Sequence, residues 1–151
     1  MAEKAQFELV SPEKLLLSEA VDMVVVPGTE GNFGVLAGHS LLISTVRPGV
    51  IDVYEGSEIS ERIFVSGGFA EVTAERCTVL ADEAVPLSSL DAATIEAELR
   101  TLEGALANLR DRVARLTGDE REQALVELRA TELKLEIEAA KLAALRQGIA
   151  H

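Results

Sequence analysis

The sequence predicts an α+β protein in two parts, an antiparallel β-sandwich over residues 1–86 and an antiparallel two-helix hairpin over 87–151. Three observations carry this. Short β-rich runs crowd the first part with no helical pattern between them, which favours a sandwich or flattened barrel over alternating βαβ units. Beyond Pro86 the apolar period changes from two to that of a helix. The charge shifts as well: 14 acids stand against 5 bases up to Pro86, and 12 against 9 from Leu87 onward.

The β-rich runs are "QFELV", "LLLSEAVDMVVV", "LLISTV", "GVIDVYE", "RIFVS", "AEVTA" and "CTVLA". Most are short and bounded by Gly, Pro or Ser. Phe7 and Leu9 alternate with polar neighbours, as does Val72 between Glu71 and Thr73, the pattern of strands with one wet and one buried face. Cys77, the single cysteine, has no internal disulfide partner and is expected as a buried structural thiol.

In the second part Ile95, Leu99, Leu102, Leu106, Leu109, Val113 and Leu116 are spaced alternately by four and three, a heptad seam on a helix of about thirty residues. Ser88 or Ser89 is expected to cap its start, with Asp91 in the first turn, and Thr117-Gly118 to end it. A second helix is expected from "DEREQ" towards Arg146. The short connection folds the two back on each other. Its apolar residues form two ridges, Leu128, Leu135 and Leu142 on one and Ala130, Leu133, Ile137, Ala140 and Ala144 on the other. One ridge can meet the first helix, and the other needs a second partner.

Composition excludes several function classes. A net charge of −12 repels nucleic acid and anionic lipid. No apolar run reaches the roughly 18 residues of a membrane span, and "MAEKAQFELV" lacks the basic and apolar regions of a cleaved signal, so neither membrane insertion nor export is expected.

The stretch "PGTEGNFGVLAGHS", Pro27 to Ser40, holds four glycines and then His39, one of only two histidines. A phosphate loop needs a lysine after its last glycine, yet none lies between Lys14 and Lys134. A dinucleotide fingerprint needs G-x-G-x-x-G between strand and helix, and the spacing here is G-x-x-G-x-x-G with strands expected on both sides. His39 has no second histidine nearby and no clustered cysteines, so no metal site is expected. His39 beside Ser40 would point to opposite faces of a strand, a poor nucleophile pair. The plain expectation for His39 is a hydrogen bond to the backbone of its own loop. Arg110, Asp111, Arg112 and Arg115, like Glu132, Glu136 and Glu138, read as solvated helix surface.

Taken together, "PGTEGNFGVLAGHSLLISTVRPG", "FVSGGFAEVTAERCTVLADEA" and a following helical hairpin strongly resemble the epsilon subunit of the F-type ATP synthase, equivalent to the mitochondrial delta subunit, over essentially the whole chain. The resemblance implies a ten-stranded sandwich at about residues 3 to 86 and a non-catalytic rotor subunit of the central stalk without a cofactor. It implies binding to the gamma subunit and to the ring of c subunits, so that proton-driven rotation is coupled to ATP synthesis. It places the chain on the cytoplasmic face of a bacterial plasma membrane as a peripheral component.

The c-ring contact maps onto Glu30, Gly31, Asn32, Phe33 and nearby His39. Relatives often carry an acid where Asn32 stands, and prolines where Ala37 and Leu41 stand. The hairpin in many bacterial members either packs compactly or extends along gamma into the alpha/beta catalytic ring and inhibits ATP hydrolysis. Some bind ATP through [IL]-D-x-x-R-A. Here "LVELRA" keeps Leu125, Arg129 and Ala130 but has Val126 in place of the aspartate, and the acidic helix beyond disfavours a polyanion. ATP sensing is therefore expected to be weak or absent. Two other readings remain open from the residues: a small β-sandwich hydrolase using His39 with Glu30, and a free-standing adaptor with a coiled-coil tail.

Overall fold

The computed structural model describes residues 3–150, which divide into two units, one running to Ser89 and the other starting at Leu90. The first contains ten strands, β1 (Ala5–Val10), β2 (Leu15–Val21), β3 (Met23–Gly28), β4 (Gly31–Val35), β5 (Leu42–Val46), β6 (Gly49–Glu55), β7 (Glu58–Val65), β8 (Gly68–Val72), β9 (Arg76–Ala81) and β10 (Ala84–Pro86). They hydrogen-bond in the order β10-β7-β6-β3-β5-β8-β9-β1-β2, with β4 added on β3.

The path turns a corner at β3 and β5, which share only the Gly28–Val46 pairing. That corner separates two layers, β10-β7-β6-β3-β4 and β5-β8-β9-β1-β2. Phe7, Leu9, Val24, Val26, Ile51, Val53, Val72 and Val79 lie between them in one apolar core, all close to fully buried. Cys77 belongs to this core, and burial pushes its thiol up to about 12. The inert thiol expected from "RCTVLA" is what stands there.

Three strand-level expectations change. "LLLSEAVDMVVV" is two strands, broken at Asp22, whose Oδ2 accepts a hydrogen bond from the Gly56 backbone N–H at 2.6 Å. Residues 31–35, read only as part of a glycine-rich turn run, form β4. The pairing is antiparallel throughout except between β1 and β9, which run parallel in the register Phe7–Cys77 and Leu9–Val79.

The second unit contains α1 (Ala92–Arg115) and α2 (Gly118–Ala150), which pack against each other. Ile95, Leu102, Leu106 and Leu109 are the buried residues of α1, a subset of the heptad seam. Neither Ser88 nor Ser89 caps it: Leu87–Ser89 form a single 3₁₀ turn, and the cap is Asp91. Its Oδ2 accepts from the Thr94 backbone N–H at 3.1 Å and from Thr94 Oγ1 at 2.6 Å. These bonds hold the Asp91 carboxyl below the usual aspartate range. Asp91 stands three residues before Thr94, which offers it both a backbone and a hydroxyl donor, whereas the serines are taken up in the preceding turn.

In α2 the two ridges differ. Leu142 is buried and Leu128 and Leu135 are half-buried, whereas the second ridge is open only at Ala130 and Leu133 and then closes through half-buried Ile137 and Ala140 to buried Ala144, so both ridges are covered towards the end of α2. Arg112 Nη1 and Glu127 Oε2, 3.7 Å apart, link the two helices near their connection. Gly118 adopts φ +63° where the chain reverses, as a glycine at a helix boundary allows.

Candidate functional site

The Pro27–Ser40 stretch resolves into a hairpin followed by a loop. β3 and β4 pair in register from Val24–Val35 to Gly28–Gly31, leaving Thr29 and Glu30 as a two-residue turn. The two flanking glycines are required by geometry. A Cβ on Gly28 would lie 2.7 Å from the Gly31 carbonyl oxygen and 3.0 Å from the Phe33 ring, and Gly31 has φ +137°.

The turn is braced from β5 and from the residue after it. The Thr29 N–H donates to the Thr45 carbonyl at 3.1 Å, and the two threonine hydroxyls are 2.6 Å apart. The Arg47 N–H donates to the Pro27 carbonyl at 2.9 Å. Its guanidinium then forks, with Nη1 donating to the Gly28 carbonyl and Nη2 to Asn32 Oδ1 at 2.6 Å. Asn32 is therefore already engaged within the chain. Phe33 is half-buried and packs against the core beneath the turn, so it supports the turn from below. Glu30 is exposed at the tip.

His39 lies apart from this group. The Gly38 N–H donates to the Ala74 carbonyl at 2.7 Å, tying its loop to the β8–β9 turn. β4 and β5 each run from the Thr29–Glu30 end to the His39 end, a span of about 15 Å at the usual strand rise. His39 Nδ1 is 2.6 Å from the Ser40 carbonyl oxygen, and its backbone N–H donates to the Leu36 carbonyl at 3.2 Å. The local-backbone role expected for it is the one observed. The hydrolase reading needs His39 beside Glu30, and the strands hold them at opposite ends of the sheet.

A second surface was not anticipated. On the outer face of the β5-β8-β9 layer, register places Ile43 beside Glu71, and Thr45, Phe69 and Leu80 side by side. Ile43 is 78% exposed, Phe69 57% and Leu80 45%, with Leu41 at 80% just before β5. Neighbouring exposed apolar side chains of this size make this face a candidate contact surface. The signal was in "LLIS", where consecutive apolar residues must put at least one on each face of a strand. Arg47 also had a signal, as one of only five bases in the first 86 residues.

A third feature is electrostatic. Glu19 on β2 points inward towards β7 and β6, where Glu61 and Glu55 stand. Hydrogen bonding to Glu61, burial and the negative charges of Glu61 and Glu55 raise its carboxyl to about 7. Glu61 Oε2 is buried with no hydrogen-bond partner.

In α2, Val126, Arg129 and Ala130 are exposed and Leu125 is half-buried. The residues of the degenerate ATP motif thus share one helix surface that lacks the aspartate. No cluster of three or more metal-ligating side chains occurs among the described residues, and no described helix is long and apolar enough to cross a membrane.

A β-sandwich with a braced polar turn and an exposed apolar face, joined in sequence to a helical hairpin, defines a two-part chain of sandwich and hairpin. Residues 4–87 match the family model described as the ATP synthase delta/epsilon chain, beta-sandwich domain. The chain belongs to the ATP synthase delta/epsilon chain family. It is 59% identical over 106 residues to the ATP synthase epsilon chain of Rhodospirillum rubrum, covering 70% of this chain and 79% of that one. To the ATP synthase epsilon chain of Rhodospirillum centenum it is 52% identical over 144 residues, covering 94% and 92%. Among solved structures it resembles a chain of the Euglena gracilis mitochondrial ATP synthase, in an assembly of OSCP, F1 and c-ring, with TM-score 0.64 and 29% identity over 96% of this chain and 83% of that chain.

Proposed function

We propose that this chain is a non-catalytic rotor subunit in the central stalk of an F-type ATP synthase, coupling proton-driven rotation to ATP synthesis. The observation that carries the assignment is the exposed apolar face of β5, β8 and β9 on a chain whose relatives are ATP synthase epsilon chains. That face is the docking surface for gamma. The braced turn at Glu30, Gly31 and Asn32 meets the polar loops of the c-ring, with Phe33 beneath it. His39, at the far end of β4, orders the loop beside the gamma-binding face rather than the c-ring turn. The chain sits at the cytoplasmic face of a bacterial inner membrane, held there through its partners.

The two domains keep separate tasks, with residues 1–86 binding the rotor and residues 87–151 regulating it. The open part of the second ridge of α2, Ala130 and Leu133, with Val126 exposed in the turn before it, is suited to burial against gamma or the alpha/beta ring when the hairpin extends. Nucleotide is not part of this regulation, because Val126 removes the motif's carboxylate and the exposed Glu132 and Glu136 repel phosphate, while Glu138 is half-buried and paired with Lys141 at 3.0 Å instead of lying on the solvated surface. Isothermal titration of the purified chain with ATP tests this, and micromolar affinity would refute it.

Co-purification tests the central claim. Wild-type chain is expected to co-elute with gamma, and Phe69→Glu or Ile43→Glu to elute free while keeping the wild-type circular dichroism spectrum. Folded variants that still bind gamma would overturn the assignment of the face.

A further inference from the structure

Arg47 has no place in the proposed function so far, although its surroundings are more specific than those of any other cation in the first unit. Its backbone and both guanidinium nitrogens of the fork end on one feature, the Pro27–Asn32 turn, through Pro27, Gly28 and Asn32. It is bonded to neutral acceptors, two carbonyls and an amide. Of the other two arginines in the unit, Arg62 lies 3.6 Å from Asp52 and Arg76 lies 3.2 Å from Glu8, both carboxylate pairs. A planar fork that reaches a backbone carbonyl and a side-chain amide together fixes both in orientation, which a point-charge lysine does not do.

We infer that Arg47 is the positioning residue of the c-ring turn, and that Asn32 is its intramolecular anchor rather than a free contact. This rests on the reading of the turn as the c-ring surface. The Gly28 carbonyl is the last of β3 and Asn32 is the second residue of β4, so Arg47 bridges the two sides of the turn from outside the hairpin. The Thr29–Thr45 bonds hold the same turn from β5. With these constraints the tip presents Glu30 and the Gly31 backbone in one arrangement, and little ordering entropy remains to be lost when a polar loop docks. An acid at position 32 would form an ion pair with Arg47, so its charge would be spent within the chain before any c subunit met it.

The test uses the full-length chain and the assembled synthase. Asn32→Asp introduces a carboxylate whose titration, followed by NMR, is expected below the ordinary aspartate range. In the double variant with Arg47→Met it should return to that range. Arg47→Lys and Arg47→Met should each speed backbone amide exchange at Thr29 and Gly31 about tenfold, the factor for about 1.4 kcal/mol, leaving core amides of β8 and β9 unchanged. An ordinary titration in both Asn32→Asp backgrounds, or unchanged exchange in both Arg47 variants, would overturn the inference. ATP-driven proton pumping by the assembled complex separates it from the reading beneath it. Faster exchange with lowered pumping supports both. Faster exchange with normal pumping upholds Arg47 as the positioning residue and removes the c-ring from the turn.

Discussion

At the scale of single residues, proton binding at Glu19 has a predictable sign. Its carboxyl is raised from 4.5 to about 7 by Glu61, burial and Glu55, so the folded chain holds a proton that the unfolded chain releases near 4.5. Stability therefore falls as pH rises between about 4.5 and about 7 and levels off above. Glu19 is only partly buried, which reduces the size of the effect without changing its direction. Urea midpoints measured across that range should drop for wild type and stay flatter for Glu19→Gln. Equal pH profiles would remove the shared proton. Phe7, fully buried between the layers, belongs to the same scale: Phe7→Ala should cost about 3–5 kcal/mol in denaturant unfolding. Cys77 should resist thiol reagents until the chain is denatured, and rapid labelling of folded protein would contradict its buried placement.

At the scale of elements, α1 depends on Asp91 for its start. Asp91→Ala should leave the amides of α1's first turn exchanging faster and lower the helical signal, with little change in β-sheet exchange. The carboxyl is held below its usual range, so its contribution is present above about 3.8 and is lost as pH falls through the lower folded value. A first turn insensitive to this change would place the cap elsewhere. The elements most visible in the sequence were those with clean periodicity: the Ile95–Leu109 seam and the alternation of Phe7, Leu9 and Val72. β4 was hidden because "GNFGV" has two glycines and only one short alternating pair, Phe33 and Val35, inside a run that reads as turns. The cap was hidden because Ser88, Ser89 and Asp91 are all good capping residues, and the choice rests on which faces Thr94.

At the scale of the whole molecule, the family and the position of the glycine-rich turn were legible in long strings, yet the bracing of that turn and the exposed apolar face were not. Glu30 and Asn32 were visible as turn residues, but their bracing by Arg47 spans 15 positions and depends on the β3–β5 corner. The apolar face of Ile43, Phe69 and Leu80 is assembled from three strands by register, so no local window contains it. A chain ending at Ser89 should fold by itself, since the sandwich core draws on no residue beyond Ala84. Reconstituted into the complex, that shortened chain should raise ATP hydrolysis if the hairpin is inhibitory. An unchanged rate would leave the helices a role in assembly.

The parallel pairing of β1 with β9 also governs how the chain is made. Phe7 cannot meet its register partner Cys77 until about 70 further residues have been synthesised. At 5–20 residues per second a ribosome takes roughly 4–14 s to supply them. Through that interval the inward side of the β1–β2 hairpin, with Phe7, Leu9 and Val21, waits without its core. The nascent chain thus spends seconds with an apolar sheet edge unpaired, and chaperone capture should be strongest on ribosomes stalled before β9 and fall once Ala81 has emerged.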